Sequence, residues 1–228
     1  MKKVLVIISF VLLMTLGIVS CEKNEANNKL TDLTNNEEQQ SDNNENVQED
    51  NQQKDKEEVN EIEEKEIEYI NIAPEEVRIP ILMYHSISDD DPNNNLLVPP
   101  NMFEEQMAWL EANEFTAMNL DEALEAMETG KVPKRPVVIT FDDGYSDNYT
   151  SAFPSLKNHG LKATFFVITD GVDNGYYMST DMLKEMQAAG MSIENHTANH
   201  LELDKLSRED AYDAIKRGQD FLRNNIGS

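Results

Sequence analysis

The residues best suited to chemistry form two short groups: a pair of adjacent aspartates and two histidines four residues apart. Asp142 and Asp143 follow an apolar run, residues 137–141, that predicts a buried strand. His196 and His200 have a spacing at which both imidazoles can reach one ion from a helical turn or a tight loop. One carboxylate and two imidazoles form a common set of three protein ligands for a catalytic metal. The second carboxylate is then free to act as a base, so the pattern predicts a metal-dependent hydrolase.

Each group alone also has an ordinary structural explanation. An Asp-Asp pair is usually a solvated turn, and a His-x-x-x-His spacing often arises by coincidence on a helix surface. Because both groups follow predicted strands of an α/β pattern, the functional interpretation is favoured.

These residues also carry a resemblance to a known family. Thr-Phe-Asp-Asp-Gly-Tyr at 140–145, followed by His-Thr-x-x-His at 196–200, resembles the motifs of the polysaccharide deacetylases, the NodB-homology group that forms carbohydrate esterase family four. Residues 162–167 and 82–87 are similar to two strands of that family. The resemblance extends from about Ile79 to the end of the chain.

The resemblance implies a distorted (β/α) barrel and separate roles for the two aspartates. Asp142 would be the catalytic base, and Asp143, His196 and His200 would bind a divalent metal. Zinc is the expected metal, and the same ligands accept cobalt, nickel or iron.

Four further residues are predicted near this site. Tyr145 is expected to offer its main-chain amide to an oxyanion. His85, at the end of the first strand, is expected to line the site wall without binding the metal, and a purely structural histidine is the alternative. Thr197 and Asn199 are expected to brace the histidine loop.

After residue 77 the chain alternates predicted strands and helices. Strands are predicted at 79–84, 137–141, 162–168 and 191–194. The first helix is predicted to begin at an Asn101 N-cap, with Glu104 completing a capping box. This alternation predicts an α/β fold with a parallel sheet, whose chemistry lies at the carboxyl ends of the strands.

Four strands are too few to close a barrel, so the chain is expected to be a C-terminally truncated member that holds only the N-terminal part of the domain. In the family, the later part of the domain supplies an arginine that orients the catalytic aspartate, an aromatic wall of the sugar groove and a histidine that acts as general acid. No residue here matches those motifs, which predicts weak or absent activity for this chain as it stands.

The first 21 residues resemble an export signal. A charged start precedes an apolar run, residues 4–19, and small residues follow it. Residues 18–21 resemble a bacterial lipobox, in which Cys21 is lipidated after cleavage, and an uncleaved membrane anchor is the alternative. One cysteine cannot form an internal disulfide, which agrees with a role in lipid attachment. The sequence therefore predicts an extracytoplasmic lipoprotein anchored to the bacterial cell membrane.

Residues 22–76 are predicted to be an acidic, disordered linker that joins this signal to a partial catalytic domain at 77–228. The linker is rich in Asn, Gln, Glu, Asp and Lys, and it cannot bury enough apolar surface to offset the entropy of ordering. The 228-residue chain carries a formal net charge of −25. This charge argues against a nucleic-acid partner, because binding phosphates requires a basic surface.

Three functions fit these observations. The first is removal of N-acetyl groups from an amino-sugar polymer, either peptidoglycan or an exopolysaccharide, at the cell surface. The second is an O-acetyl esterase that acts on a xylan-like glycan, and the third is a surface lipoprotein that binds glycan without turnover. A polysaccharide is the expected partner in each case, with the membrane as a second partner through the lipid anchor. The sequence does not indicate an oligomeric state.

Overall fold

The computed structural model describes residues 67–227. The predicted signal, the lipobox with Cys21, and the predicted linker up to residue 66 lie outside the described residues. Within residues 67–227, no helix combines the length and the apolar character needed to cross a membrane.

Strands and helices alternate along the described residues. The strands are β1 Tyr69–Asn71, β2 Ile81–Tyr84, β3 Thr116–Met118, β4 Lys131–Pro133, β5 Pro136–Phe141, β6 Thr164–Val167 and β7 Ser192–Asn195. The α-helices are α1 Pro100–Ala112, α2 Leu120–Thr129, α3 Phe153–Asn158, α4 Thr180–Ala188 and α5 Arg208–Asn225.

A parallel sheet with β5 at its centre organises the domain. Val138 of β5 pairs with Ile81 of β2 on one edge and with Met118 of β3 on the other. Strand β6 pairs with β5, and β7 pairs with β6, all in parallel. The predicted α/β fold with a parallel sheet is confirmed. Because the strands are parallel, Asp142 after β5 and His196 after β7 emerge at the same end of the sheet.

The centre of the sheet is buried on both faces, which explains why β5 is a continuous apolar run. Every residue from Val137 to Phe141 is buried. Phe141 stacks on Phe165 of β6, with ring centroids 4.6 Å apart, and on Tyr84 of β2, with centroids 5.3 Å apart. This aromatic stack supports the chain immediately before Asp142.

The sheet contains one strand more than the sequence predicts. Four parallel strands are predicted, whereas the described sheet has five, because β3 also pairs with β5. Strand β3 is only three residues long and reads Thr-Ala-Met. So short a segment cannot show the alternation by which strands are recognised in a sequence.

The end of the predicted linker also differs from the prediction. Residues 67–76 belong to the folded domain, since β1 pairs antiparallel with β4 and Tyr69 lies opposite Pro133. Ile70 packs with buried Val132 in a small second core. In the sequence Ile70 follows a run of acidic residues, and its partial burial depends on a partner strand about sixty residues later, which composition alone does not reveal.

Helix α1 does not begin with the predicted capping box. Pro99 is the N-cap and Pro100 is the first helical residue, so Asn101 lies inside the helix. Proline is favoured at the first helical position because its fixed φ suits the helix and its missing N–H would be unsatisfied there in any case. Glu104 is therefore free to make a contact outside its own helix.

That contact links α1 to the end of α3. The Ser155 hydroxyl donates to Glu104 Oε2, while the two ring nitrogens of His159 lie 2.7 Å from Glu104 Oε1 and 2.7 Å from Glu111 Oε2. The hydrogen bond to Glu111, assisted by Glu104, raises the pKa of His159 above its usual 6.5, against the opposing effect of burial. His159 thus has a structural role away from the parallel-strand ends.

Candidate metal centre and active site

Asp143, His196 and His200 converge on one point at the carboxyl end of the sheet. Asp143 Oδ1 lies 3.4 Å from Nε2 of His196 and 3.4 Å from Nε2 of His200. This carboxylate oxygen is buried and has no hydrogen-bond partner among the described residues. Leaving a buried anionic oxygen unpaired is costly, and a cation between the three side chains would remove that cost. The donor set and its convergence fit a divalent metal.

The backbone around Asp143 is bent into a sharp turn, Asp142–Gly144, called here the aspartate turn. Asp143 has a φ of 73° and Gly144 a φ of 82°, both left-handed. The Asp142 amide donates to the Tyr84 carbonyl at 2.9 Å, and a Cβ at Gly144 would lie 3.1 Å from Val167 Cγ1. A left-handed conformation at a non-glycine residue costs about 1–3 kcal/mol and is typical of functional sites.

The second group of ligand atoms comes from residues 196–200, called here the histidine turn. The His196 amide donates to the Val167 carbonyl at 3.0 Å, and the His200 amide donates to Thr197 Oγ1 at 2.9 Å. Thr197 Oγ1 thus fixes the main chain of His200 within the turn. The side-chain oxygen of Asn199 is buried and has no hydrogen-bond partner among residues 67–227.

Helix α5 supports the histidine turn through its own main chain. The Ala198 amide donates to the Ala214 carbonyl at 2.9 Å, and Asn195 Nδ2 donates to the Ile215 carbonyl at 2.9 Å. Gly218 permits this approach, since a Cβ there would lie 2.1 Å from Asn195 Oδ1. The sequence analysis does not identify this role, although a glycine inside an otherwise helical pattern is a signal for close packing.

Asp142 faces a third imidazole. Asp142 Oδ2 lies 3.9 Å from His85 Nε2, and both side chains are mostly buried. The register of the sheet explains the approach, because Tyr84 pairs with Phe141 and the next residue of each strand lies alongside. His85 is outside the group that could hold a metal. His85 thus lies beside Asp142, which is likewise outside that group.

Two polar residues that the sequence analysis missed fix the segment around His85. Asp147 accepts hydrogen bonds from the Ser86 hydroxyl at 2.6 Å and from the Ile87 amide at 3.0 Å. Asn148 Nδ2 donates to the His85 carbonyl at 2.7 Å. A sequence signal exists, since the two residues lie two and three positions after the Asp-Asp-Gly-Tyr segment, but their partners lie about sixty residues earlier in the chain.

Tyr145 follows the aspartate turn directly. Burial, followed by the effect of the neighbouring Asp143 carboxylate, raises the pKa of the Tyr145 phenol well above its usual range. The phenol therefore stays protonated beside Asp143. The ring stacks on Tyr177 with centroids 5.4 Å apart. The Tyr145 amide has no acceptor among the described residues, so it is available to an oxyanion.

The electrostatic environment favours a neutral imidazole at His196. Burial is the largest effect and lowers the pKa of His196, and the neighbouring His200 and His85 act in the same direction. Asp142 and Asp143 oppose this effect. Because metal binding requires the lone pair of a neutral imidazole, the net direction suits a ligand.

Comparisons with known proteins agree with this geometry. The family profile described as "Polysaccharide deacetylase" matches residues 129–228, which include both aspartates and both histidines of the site. The chain is 44% identical over 131 residues to the putative polysaccharide deacetylase YxkH of Bacillus subtilis, a match that covers 57% of this chain and 46% of that protein. It is 30% identical over 171 residues to a poly-β-1,6-N-acetyl-D-glucosamine N-deacetylase of Staphylococcus epidermidis, covering 63% of this chain and 59% of that protein.

The chain thus spans about half the length of the curated relatives it matches. Among solved structures, it superposes on the Streptococcus pyogenes deacetylase PplD in complex with acetate with a TM-score of 0.64. The identity to that protein is 33%, and the match covers 67% of this chain and 70% of the other.

Proposed function

Because the chain belongs to the polysaccharide deacetylase family, as its sequence motifs predict, we propose that it is a metal-dependent hydrolase that removes N-acetyl groups from an amino-sugar polymer. The observation that carries this proposal is the buried Oδ1 of Asp143, which has no hydrogen-bond partner within residues 67–227 and faces two imidazole nitrogens. A second carboxylate, Asp142, lies next to it and outside the ligand group.

Asp143, His196 and His200 would hold the ion, and zinc suits one carboxylate with two imidazoles. When bound, a divalent ion at this position supplies Lewis-acid polarisation of an acyl oxygen and lowers the pKa of water. The phenol of Tyr145, which stays protonated beside Asp143, can donate to its carboxylate.

The remaining chemistry belongs to side chains and main-chain groups of this chain. The oxygen of the attacking water bonds to the acetyl carbon, and Asp142 accepts a proton from that water. The Tyr145 amide donates to the oxygen that becomes negatively charged at that carbon. The carbon–nitrogen bond then breaks, which gives acetate and an amine, and the amine nitrogen must receive a proton.

We propose that His85 donates this proton to the amine nitrogen. Its ring lies beside Asp142 and outside the ligand group, so it is free to carry a proton to the leaving nitrogen. Asp147 and Asn148 hold the His85 segment in place. His85→Gln should slow acetate release from an N-acetyl sugar much more than release from p-nitrophenyl acetate, whose leaving group departs without a proton. An equal loss on both substrates would contradict this role.

For the polymer, we propose β-1,6-linked N-acetylglucosamine. The support is the similarity to the Staphylococcus epidermidis enzyme, which carries that substrate in its name. The test is acetate release by the full chain from a β-1,6-linked N-acetylglucosamine pentasaccharide, chitin pentasaccharide and acetylated xylan, before and after chelation and zinc addition.

We expect zinc-dependent acetate release, fastest from the β-1,6-linked substrate. Release from acetylated xylan alone would identify an O-acetyl esterase. Binding of a pentasaccharide with no acetate from any substrate, in the presence of zinc, would identify a glycan-binding protein without turnover.

We propose further that the protein acts outside the cytoplasmic membrane, attached through a lipid on Cys21. The support is the signal-like start and the lipobox-like residues 18–21. Cys21→Ala should release the protein from the membrane fraction or leave an unprocessed precursor. Unchanged processing and fractionation of this variant would contradict lipidation.

A further inference from the structure

A cavity of about 550 Å³ lies beside the aspartate turn. One wall is the loop after β2, which contributes Asp89, Asp90 and Asn94, and the opposite wall begins with Tyr145. Because Tyr145 follows Asp143 by two residues, the cavity adjoins the candidate metal centre at the aspartate turn. This volume lies within the range of ligand-binding pockets and exceeds what one small acyl group needs.

Tyr176 forms the rim of this cavity and is 64% exposed. Its ring meets Tyr145 edge-on with centroids 5.4 Å apart, and it meets Tyr177 edge-on with centroids 5.1 Å apart. Its main chain is fixed at both ends, since the Ser146 amide donates to the Tyr176 carbonyl at 3.0 Å and the Tyr176 amide donates to Asn174 Oδ1 at 2.9 Å. The exposed ring is therefore held in place and loses little freedom when a ligand covers it.

The chemistry of the cavity matches a sugar unit. The apolar face of a pyranose ring can stack on an exposed aromatic face such as that of Tyr176. The carboxylates of Asp89 and Asp90 and the amide of Asn94 can accept hydrogen bonds from ring hydroxyls. A rigid aromatic ring with a few polar groups around it is the composition expected of a small-molecule site.

We propose that this cavity is a subsite for the sugar unit next to the one that is deacetylated, with Tyr176 as its stacking platform. This inference rests on the proposed deacetylase function. It implies that the chain favours oligosaccharides over single sugars, because only an oligosaccharide can place one sugar at the reacting position and a second sugar on Tyr176.

The test compares Tyr176→Ala and Tyr176→Phe with the wild-type chain. The matched control is Tyr212→Ala, since Tyr212 is 65% exposed on α5 and does not line the cavity. We expect Tyr176→Ala to raise KM for a β-1,6-linked N-acetylglucosamine pentasaccharide about tenfold, with no change for N-acetylglucosamine itself. Tyr176→Phe keeps the ring and should stay near wild type, and all variants should melt like the wild type.

An unchanged KM for the pentasaccharide in Tyr176→Ala would overturn the subsite, as would an equal loss on the monosaccharide, while the deacetylase proposal would stand. If the wild type releases no acetate, calorimetric binding of the same pentasaccharide decides the question. A roughly tenfold weaker Kd for Tyr176→Ala then supports the subsite. Equal affinities, or no binding by the wild type, overturn it.

Discussion

The two turns that converge at the candidate metal centre are built differently. The aspartate turn follows the central strand of the sheet, and the side chain of Asp143 is 8% exposed. The histidine turn follows β7, which pairs only with β6 among the described strands, and the side chain of His200 is 57% exposed. One turn is fixed by the sheet, whereas the other depends on contacts with α5.

This difference indicates how the site is pre-organised. The carboxylate is held by strands on both sides of β5, so its position is set once the sheet forms. The positions of the imidazoles depend in addition on α5, which packs on the histidine turn with Gly218 against Asn195. Substitutions at the two turns should therefore differ in severity, and the following experiments test that difference.

The largest effect is expected at the buried carboxylate. Asp143→Asn removes the negative charge that faces both imidazoles, so stoichiometric zinc binding should be lost. His200→Gln alters the most exposed ligand and should leave weaker but measurable binding. Competition with a chromogenic chelator measures both affinities, and circular dichroism checks the fold. If His200→Gln weakens zinc binding as much as Asp143→Asn does, the two turns do not differ in the way described.

The next effect separates chemistry from binding within the aspartate turn. Asp142→Asn should keep zinc affinity near wild type and reduce acetate release by about 100- to 10,000-fold, because only the proposed general base is removed. The measurements are zinc content and steady-state acetate release. If Asp142→Asn loses the metal while Asp143→Asn retains it, the assigned roles of the two aspartates are reversed.

A smaller effect is expected from the support of the histidine turn. Gly218→Ala places a methyl group against Asn195 and should weaken zinc binding by about 10- to 100-fold, the range seen when groups behind metal ligands are altered. Adding Asn195→Ala removes the atom that clashes and should recover part of the affinity. No change in zinc affinity for Gly218→Ala would mean that the histidine turn does not depend on α5.

The smallest effect is expected at His159, which lies outside both turns. A substitution there should change stability and leave zinc binding unchanged. His159 has a raised pKa, so its contribution to stability is complete below pH 6.5 and is lost as the pH rises through that raised value. Hydrogen bonds from Ser155 and His159 lower the pKa of Glu104, so its contribution is present above pH 4.5 and is lost as the pH falls through the lowered value. The contact between α1 and α3 should be strongest between these two limits.

His159→Gln should therefore lower Tm by at most about 2–4 °C at mildly acidic pH, since the contact is partly exposed. The difference from wild type should shrink at alkaline pH, and zinc affinity should not change. Calorimetric melting at both pH values measures the effect. A Tm difference that grows with rising pH would show that the sign of this linkage is wrong.

The sequence predicts strands whose pattern is visible within a short segment, and it misses strands that form only through pairing with distant segments. The apolar run before Asp142 is unmistakable because β5 is buried on both faces. The three-residue β1 and β3 are missed because each gains its burial from strands far along the chain. The meeting of Asp143 with His196 and His200 follows from the parallel order of β5, β6 and β7, which strand-helix alternation already implies.

Other features of the site require the register of the sheet, which no local pattern supplies. The proximity of His85 to Asp142 depends on the pairing of Tyr84 with Phe141. Likewise, Asp147 and Asn148 look like ordinary turn residues until their partners around His85 are known. The support of the histidine turn by α5 is also a packing property, visible in the sequence only as a glycine at position 218.

The pairing of β1 with β4 has a mechanical consequence. β4 ends just before β5 begins, so this pair lies at the amino ends of the parallel strands, about 20 Å from the aspartate turn along the six residues of β5. A pulling load applied from the N-terminal side of the chain would first meet this three-residue ladder. We expect the ladder to open under strain while the central strands, the aspartate turn and the histidine turn keep their geometry.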